Sequence, residues 1–92
     1  MHTTQHTTQQ LVKQYSSSKR AAALLLRNAQ ACAALAHALA LVQTAHNCAQ
    51  LMLAYNAAAQ LLARSVGDVV LHALAQRVLA NYVRVQFAVV DN

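Results

Sequence analysis

The side chains able to carry acid–base, nucleophilic or metal chemistry in this 92-residue chain are five histidines, two cysteines and two aspartates. Catalysis by paired carboxylates is excluded in practice, because Asp68 sits in a helix-capping position and Asp91 lies next to the end of the sequence. Cys48 has His46 two residues away, and on a helix that spacing points the two side chains in different directions. The sequence therefore predicts a protein that is not an enzyme.

Histidines inside helical bundles can also ligate haem or zinc. His37 and His46 are nine residues apart, which places them about 180° apart on a straight helix, so they cannot share a ligand there. His72 can approach either of them only from another helix. We therefore predict no cofactor and no metal site. A designed bundle with a His-based haem or metal site is a second alternative, which the absence of glutamate disfavours, since designed helices usually contain many.

The two cysteines, Cys32 and Cys48, lie 16 residues apart and cannot form a disulfide within one helix. Free cysteines behave as small hydrophobic residues, so we predict an intracellular, reducing compartment, or a virion if the protein is viral. Residues 1–20 contain no apolar run, so we expect no secretion by a signal peptide. Residues 28–63 carry no formal charge, but polar residues interrupt them every few positions, so we expect no membrane span.

The elements that must position these residues are helices. Residues 2–9 are a tandem His-Thr-Thr-Gln repeat with nothing apolar to bury, which predicts a flexible polar tail over residues 1–8 and a single helical domain over residues 9–92. Beyond the tail, strong helix formers dominate, and Ala occurs 21 times. The sequence thus predicts an all-α protein.

The helix boundaries follow from turn and cap residues. Gly67 can take a left-handed helix-ending conformation, and Asp68 can cap the next helix. We therefore predict a long central helix over about 18–65 and a C-terminal helix over about 69–89. The sequence does not decide whether the long helix breaks near 44–47. It also leaves the start open: either Ser17 or Ser18 is the N-cap of the long helix, or a first helix runs through the serines. Residues 82–90 also alternate at strand period, and a helix is favoured over a strand there.

Two architectures remain open at this point. A helix continuous over 18–65 would span roughly 70 Å and form an Ala-rich helical hairpin, half of which lacks an intramolecular partner. A break near 44–47 instead gives a compact three- or four-helix bundle. In either case the apolar content of 58% exceeds what 92 residues can bury, which predicts self-association. An apolar seam at heptad spacing and its continuation into the last helix supply the expected contact residues, which are Leu24, Leu35, Val42, Met52, Val66, Leu74, Val78 and Tyr82.

The charge balance indicates a second kind of partner. Seven lysines and arginines against two aspartates give a net charge of +5. No aromatic residues are interleaved with the cations for base stacking, so binding to DNA or RNA would be directed at the phosphate backbone and independent of sequence. The residues expected to bind phosphates are Lys13, Lys19, Arg20, Arg27, Arg77 and Arg84.

Together these features favour a non-enzymatic structural or assembly protein whose partners are copies of itself, such as a small virion or nucleocapsid subunit. The alternative is a helical oligomer that binds nucleic acid without sequence specificity. No small-molecule substrate is indicated by the sequence.

Overall fold

The protein consists of helices throughout the part that the computed structural model describes, which is the backbone of residues 3–91 and the side chains of residues 8–90. The helices are α1 (Thr3–Tyr15), α2 (Lys19–Arg27), α3 (Ala29–Gln43), α4 (Cys48–Ser65) and α5 (Val69–Asp91). The all-α prediction is confirmed. Helix α1 begins at Thr3, inside the segment predicted as a flexible tail, and the mobility of residues 1–8 stays a prediction.

The predicted long helix over 18–65 is wrong, because the chain bends sharply at Asn28. Asn28 has extended φ and ψ angles of −102° and 108°, and its N–H donates to the Leu25 carbonyl at 3.2 Å, which ends α2. Its Oδ1 then accepts the Ala31 N–H at 2.9 Å and starts α3. Asn side chains compete for backbone hydrogen bonds in this way, and here the bend between α2 and α3 reaches 103°.

Removal of the Asn28 cap should destabilise the protein. We expect Asn28→Ala to lower the free energy of unfolding by about 0.5–2 kcal/mol, because the Ala31 N–H loses its partner. Asn56→Ala is the matched control: Asn56 is exposed in the middle of α4, where Ala is the better helix former, so no loss is expected. Urea unfolding of both variants measures the difference. Equal losses would contradict a capping role for Asn28.

The break near 44–47, which the sequence left open, is present: α3 ends at Gln43 and α4 begins at Cys48. Its hydrogen bonds explain it. Thr44 Oγ1 donates to the Leu41 carbonyl at 2.8 Å, at the end of α3. Asn47 Oδ1 accepts the Gln50 N–H at 2.9 Å, while Gln50 Oε1 accepts the His46 N–H at 2.7 Å. This exchange resembles a capping box displaced by one residue, and it satisfies two backbone donors at the start of α4.

The other boundaries also follow local side chains. Ser18 Oγ accepts the Ala21 N–H at 3.1 Å, so the helix starts at Lys19 with a serine N-cap. Asp68 Oδ1 accepts the Leu71 N–H at 3.0 Å and caps α5 as predicted. The left-handed conformation predicted for Gly67 is wrong, since no described residue has a positive φ. Val66, with φ −108° and ψ 103°, already turns the chain out of α4 in an extended conformation.

The last helix is continuous, so the strand alternative for residues 82–90 is also wrong. It contacts α1, α2, α3 and α4, and its middle holds α1 against the core. There the rings of Tyr15 and Tyr82 meet edge to face with centroids 5.7 Å apart. Asn81 Nδ2 donates to the Tyr15 carbonyl at 3.0 Å, which fixes the end of α1.

All five helices contribute to one hydrophobic core. The largest fully buried side chains are Leu25, Leu35, Leu39, Leu51, Leu62, Leu79, Val12, Val42 and Val78. The Cα extents are 34 × 27 × 26 Å and the radius of gyration is 12.3 Å. A 70 Å helix, and the hairpin built on it, are therefore absent from the described chain.

No single helix among the described residues is long and apolar enough to cross a membrane. Helices α2 and α3 meet the length and composition requirement only as a pair, across the 103° bend at Asn28.

Candidate functional site

The residues predicted to mediate self-association divide into a buried and an exposed set. Five of the eight lie inside the core of the protomer, because the chain folds back and packs the seam against its own helices; these are Leu35, Val42, Val66, Val78 and Tyr82. Leu74 is half-buried and packs against the same core. Leu24 and Met52 are 40% and 58% exposed. Within the predicted set, these two residues have the most surface for a second copy to contact.

Several large apolar side chains outside that set are exposed. They include Leu41, Leu53, Val69, Val70, Val85 and Val89. Leu41 and Leu53 are large apolar residues outside the heptad-spaced positions. In the sequence, such residues indicate a second apolar face on the helices. Val69 and Val70 stand at the first turn of α5, where exposure follows from their position next to the Gly67 turn.

The turn between α3 and α4 forms an exposed surface without formal charge, which we call the hairpin surface. It comprises Leu41 and Leu53 together with the shallow groove that they line. The groove has a volume of about 330 Å³ and is lined by Leu41, Thr44, Ala45, His46, Gln50, Leu53 and Ala54. It lies within residues 28–63, which contain no Lys, Arg, Asp or Glu.

A second groove lies where α2 meets the start of α5. It is lined by Leu24, Arg27, Asn28, Asp68, Val70 and Leu71. Here the apolar side chains are mixed with a cation and with the only carboxylate among the described side chains. This groove therefore differs in character from the uncharged hairpin surface.

The six cations predicted to bind phosphates are all exposed. The structure brings Arg77 and Arg84 together with Asn81 along one concave face of α5, which we call the α5 basic face. His72 and Gln76 line the same face, and His72 Nε2 and Gln76 Oε1 are buried there without a hydrogen-bond partner.

The remaining four predicted cations lie on other elements. Lys13 is in the last turn of α1, and Lys19 and Arg20 begin α2. Arg27 ends α2 and lines grooves away from the α5 basic face. Two of the six predicted residues, Arg77 and Arg84, are therefore shown to line a common face.

The three histidines and two cysteines whose side chains the structure describes are dispersed. No group of three or more His, Cys, Asp or Glu among the described residues is placed to hold a metal ion. Both cysteines are free and half-buried. Cys32 Sγ donates to the Leu25 carbonyl at 3.3 Å, and burial raises the pKa of this thiol above its usual value. A raised pKa lowers the thiolate fraction at neutral pH, which is the opposite of what a cysteine nucleophile needs.

No protein-family model, curated protein or solved structure matches this chain. Its function is therefore inferred from its own surfaces.

Proposed function

We propose that the protein is a non-enzymatic subunit that self-associates, and that copies of the chain meet at the hairpin surface. The observation that carries the proposal is the combination of exposure and missing charge at one place. Leu53 is 70% exposed and Leu41 42% exposed, and both line the same groove. Both lie in a stretch of 36 residues, 28–63, without a formally charged side chain. Contiguous exposed apolar surface of this kind marks interaction sites in soluble proteins.

Burial of these side chains supplies a driving force. Complete burial of one Leu or Met side chain contributes about 1.5–3 kcal/mol. In a two-fold symmetric contact each residue is buried twice, once in each copy. The side chains concerned are Leu41 and Leu53, so four are buried per contact between two copies. They are 42% and 70% exposed in the protomer, so each gains only that fraction of the full amount. This gain, with that of the surrounding groove, counteracts the loss of translational and rotational freedom on association, which is of order 4–15 kcal/mol.

Electrostatic repulsion between protomers also favours contact at the hairpin surface. Each protomer carries a net charge of +5, so two copies repel one another when they approach through their basic regions. The hairpin surface lies in the middle of residues 28–63, which contain no Lys or Arg. The flanking cations are Arg27 before this stretch and Arg64 after it. Contact between two uncharged surfaces therefore opposes the repulsion least.

Electron microscopy of the purified full chain tests the proposal. Discrete particles larger than the 34 Å protomer are expected. Fields without any object larger than the protomer, at high protein concentration, would contradict it. The micrographs also distinguish a filament, a shell and a small oligomer.

A second candidate function is binding to the phosphate backbone of nucleic acid through the α5 basic face. Arg77 and Arg84 are seven residues apart and lie on one exposed face with Asn81, whose side-chain amide is partly committed to Tyr15. Neutralisation of phosphates by such cations releases counterions and is independent of base sequence. Self-association would repeat this face along an assembly and increase the number of phosphates contacted.

The salt dependence of binding distinguishes the α5 basic face from general positive charge. We expect Arg84→Gln to weaken binding to a labelled DNA duplex and to reduce the slope of log K against log salt by about 0.9, the value for one phosphate contact. Arg64→Gln, which removes an equal charge from the exposed end of α4, is the matched control and should leave the slope nearly unchanged. Fluorescence anisotropy across a salt series gives both slopes. Identical slopes for the two variants would exclude a specific role for the α5 basic face.

A further inference from the structure

A cavity of about 510 Å³ lies between α1, α2 and α3, apart from the hairpin surface and the α5 basic face. It shares Arg27 with the groove between α2 and α5. One side of the cavity is a face of α3, where four of the five lining residues are small, namely Ala29, Cys32, Ala33 and Ala36, and the fifth is His37. Short side chains on that face leave room that a row of leucines would fill. The 103° bend at Asn28 turns α2 across this face, so the end of α2 forms a second side.

The cavity is lined mainly by apolar side chains, with Thr8 and Gln9 contributing polar groups from α1 and Arg27 contributing a positive charge. Leu26 contributes an apolar side chain from α2, and Arg27, the last residue of α2, contributes a guanidinium group. His37 lines the cavity from α3, eight residues beyond Ala29, which corresponds to about 12 Å along the helix axis. Cavities of 300–1,000 Å³ with mainly apolar walls and a few polar groups are typical of small-molecule sites.

The charge of the cavity determines which ligand fits. No described carboxylate lines it: Asp68, the one carboxylate among the described side chains, lines the neighbouring groove and caps α5. A cationic ligand would find no partner in the cavity, whereas a carboxylate can pair with Arg27 through two parallel hydrogen bonds. The apolar face of α3 is long enough to cover an unbranched chain attached to that carboxylate.

We propose that this cavity binds an amphipathic anion of the medium-chain carboxylate class, with its carboxylate on Arg27 and its alkyl chain along the small residues of α3. Such binding is independent of self-association through the hairpin surface, because the lining residues of the cavity and of the hairpin groove do not overlap.

Cys32 provides a direct probe, since its side chain lines the cavity and Cys48 provides an internal control outside it. Both thiols are free, and peptide mass spectrometry after iodoacetamide treatment measures each rate separately. Decanoate, used below its micelle-forming concentration, is expected to slow alkylation of Cys32 several-fold and to leave Cys48 unchanged. Decanamide has the same chain without the charge and should protect Cys32 only at much higher concentration.

Variants test the assigned residues. Arg27→Gln should raise the decanoate concentration needed for half-protection roughly tenfold, as expected for loss of a charge-assisted hydrogen bond. Arg20→Gln removes the same charge from the exposed start of α2 and should not change it. Ala33→Leu, at an exposed position of α3, fills the cavity and should abolish protection. Unchanged Cys32 alkylation with decanoate, equal protection of both cysteines, or equal effects of the two arginine variants would overturn the proposal.

Discussion

Replacement of Leu53 by lysine is expected to dissociate the assembled protein into protomers of 9.9 kDa. Leu53 is 70% exposed, so lysine at this position does not enter the core. The new charge lies on a surface that otherwise has none, and in a two-fold contact it faces its own copy or must be desolvated without a partner. Sedimentation velocity at several protein concentrations measures the change.

A matched variant separates this effect from the change in net charge. Gln14→Lys adds the same positive charge at an exposed position of α1, remote in sequence from the hairpin surface. It should retain the sedimentation coefficient of the unmodified chain. If both lysine variants dissociate the assembly equally, general repulsion explains the result and the hairpin surface has no special role.

Replacement of Leu35 by alanine is expected to lower the free energy of unfolding by about 2–5 kcal/mol. Leu35 is 0% exposed and belongs to the hydrophobic core of the protomer. Its truncation removes buried methyl groups and leaves a cavity, because the neighbouring side chains relax only partly. Guanidinium unfolding of dilute protein, where assembly contributes least, measures the loss.

Leu24→Ala is the control for this variant, since Leu24 belongs to the same sequence seam but is 40% exposed. A loss of less than about 1 kcal/mol is expected there. If instead Leu35→Ala reduced the mass of the assembly without reducing protomer stability, Leu35 would lie between copies and its place in the core would be contradicted.

The helix boundaries show what the sequence could predict. The α4–α5 turn is marked by Gly67 and Asp68 together, and the turn at 44–47 by a run of polar residues. Asn28 is a single polar residue between good helix formers, so a helix continuing through it has the better summed propensity. The helix nevertheless ends there, because the Asn28 side chain caps α3 and because the 103° bend lets α2 and α3 each pack against other helices. These two gains outweigh the propensity for a continuous helix.

The surfaces were harder to predict than the helices. Heptad spacing correctly indicates that Leu35, Val42 and Val78 are buried, but it cannot distinguish a partner helix in the same chain from one in another copy. The exposure of the cations could be predicted because charged side chains are rarely buried. The common face of Arg77 and Arg84 could be predicted because they are seven residues apart on one helix. The cavity beside Cys32 depends on the bend at Asn28 and therefore has no local sequence signal.

The molar mass of the unmodified chain in solution tests the central proposal most directly. Multi-angle light scattering across a dilution series is expected to give a mass that rises with protein concentration to at least twice the 9.9 kDa of the protomer. A mass that stays at 9.9 kDa up to the highest concentration would contradict self-association through the hairpin surface.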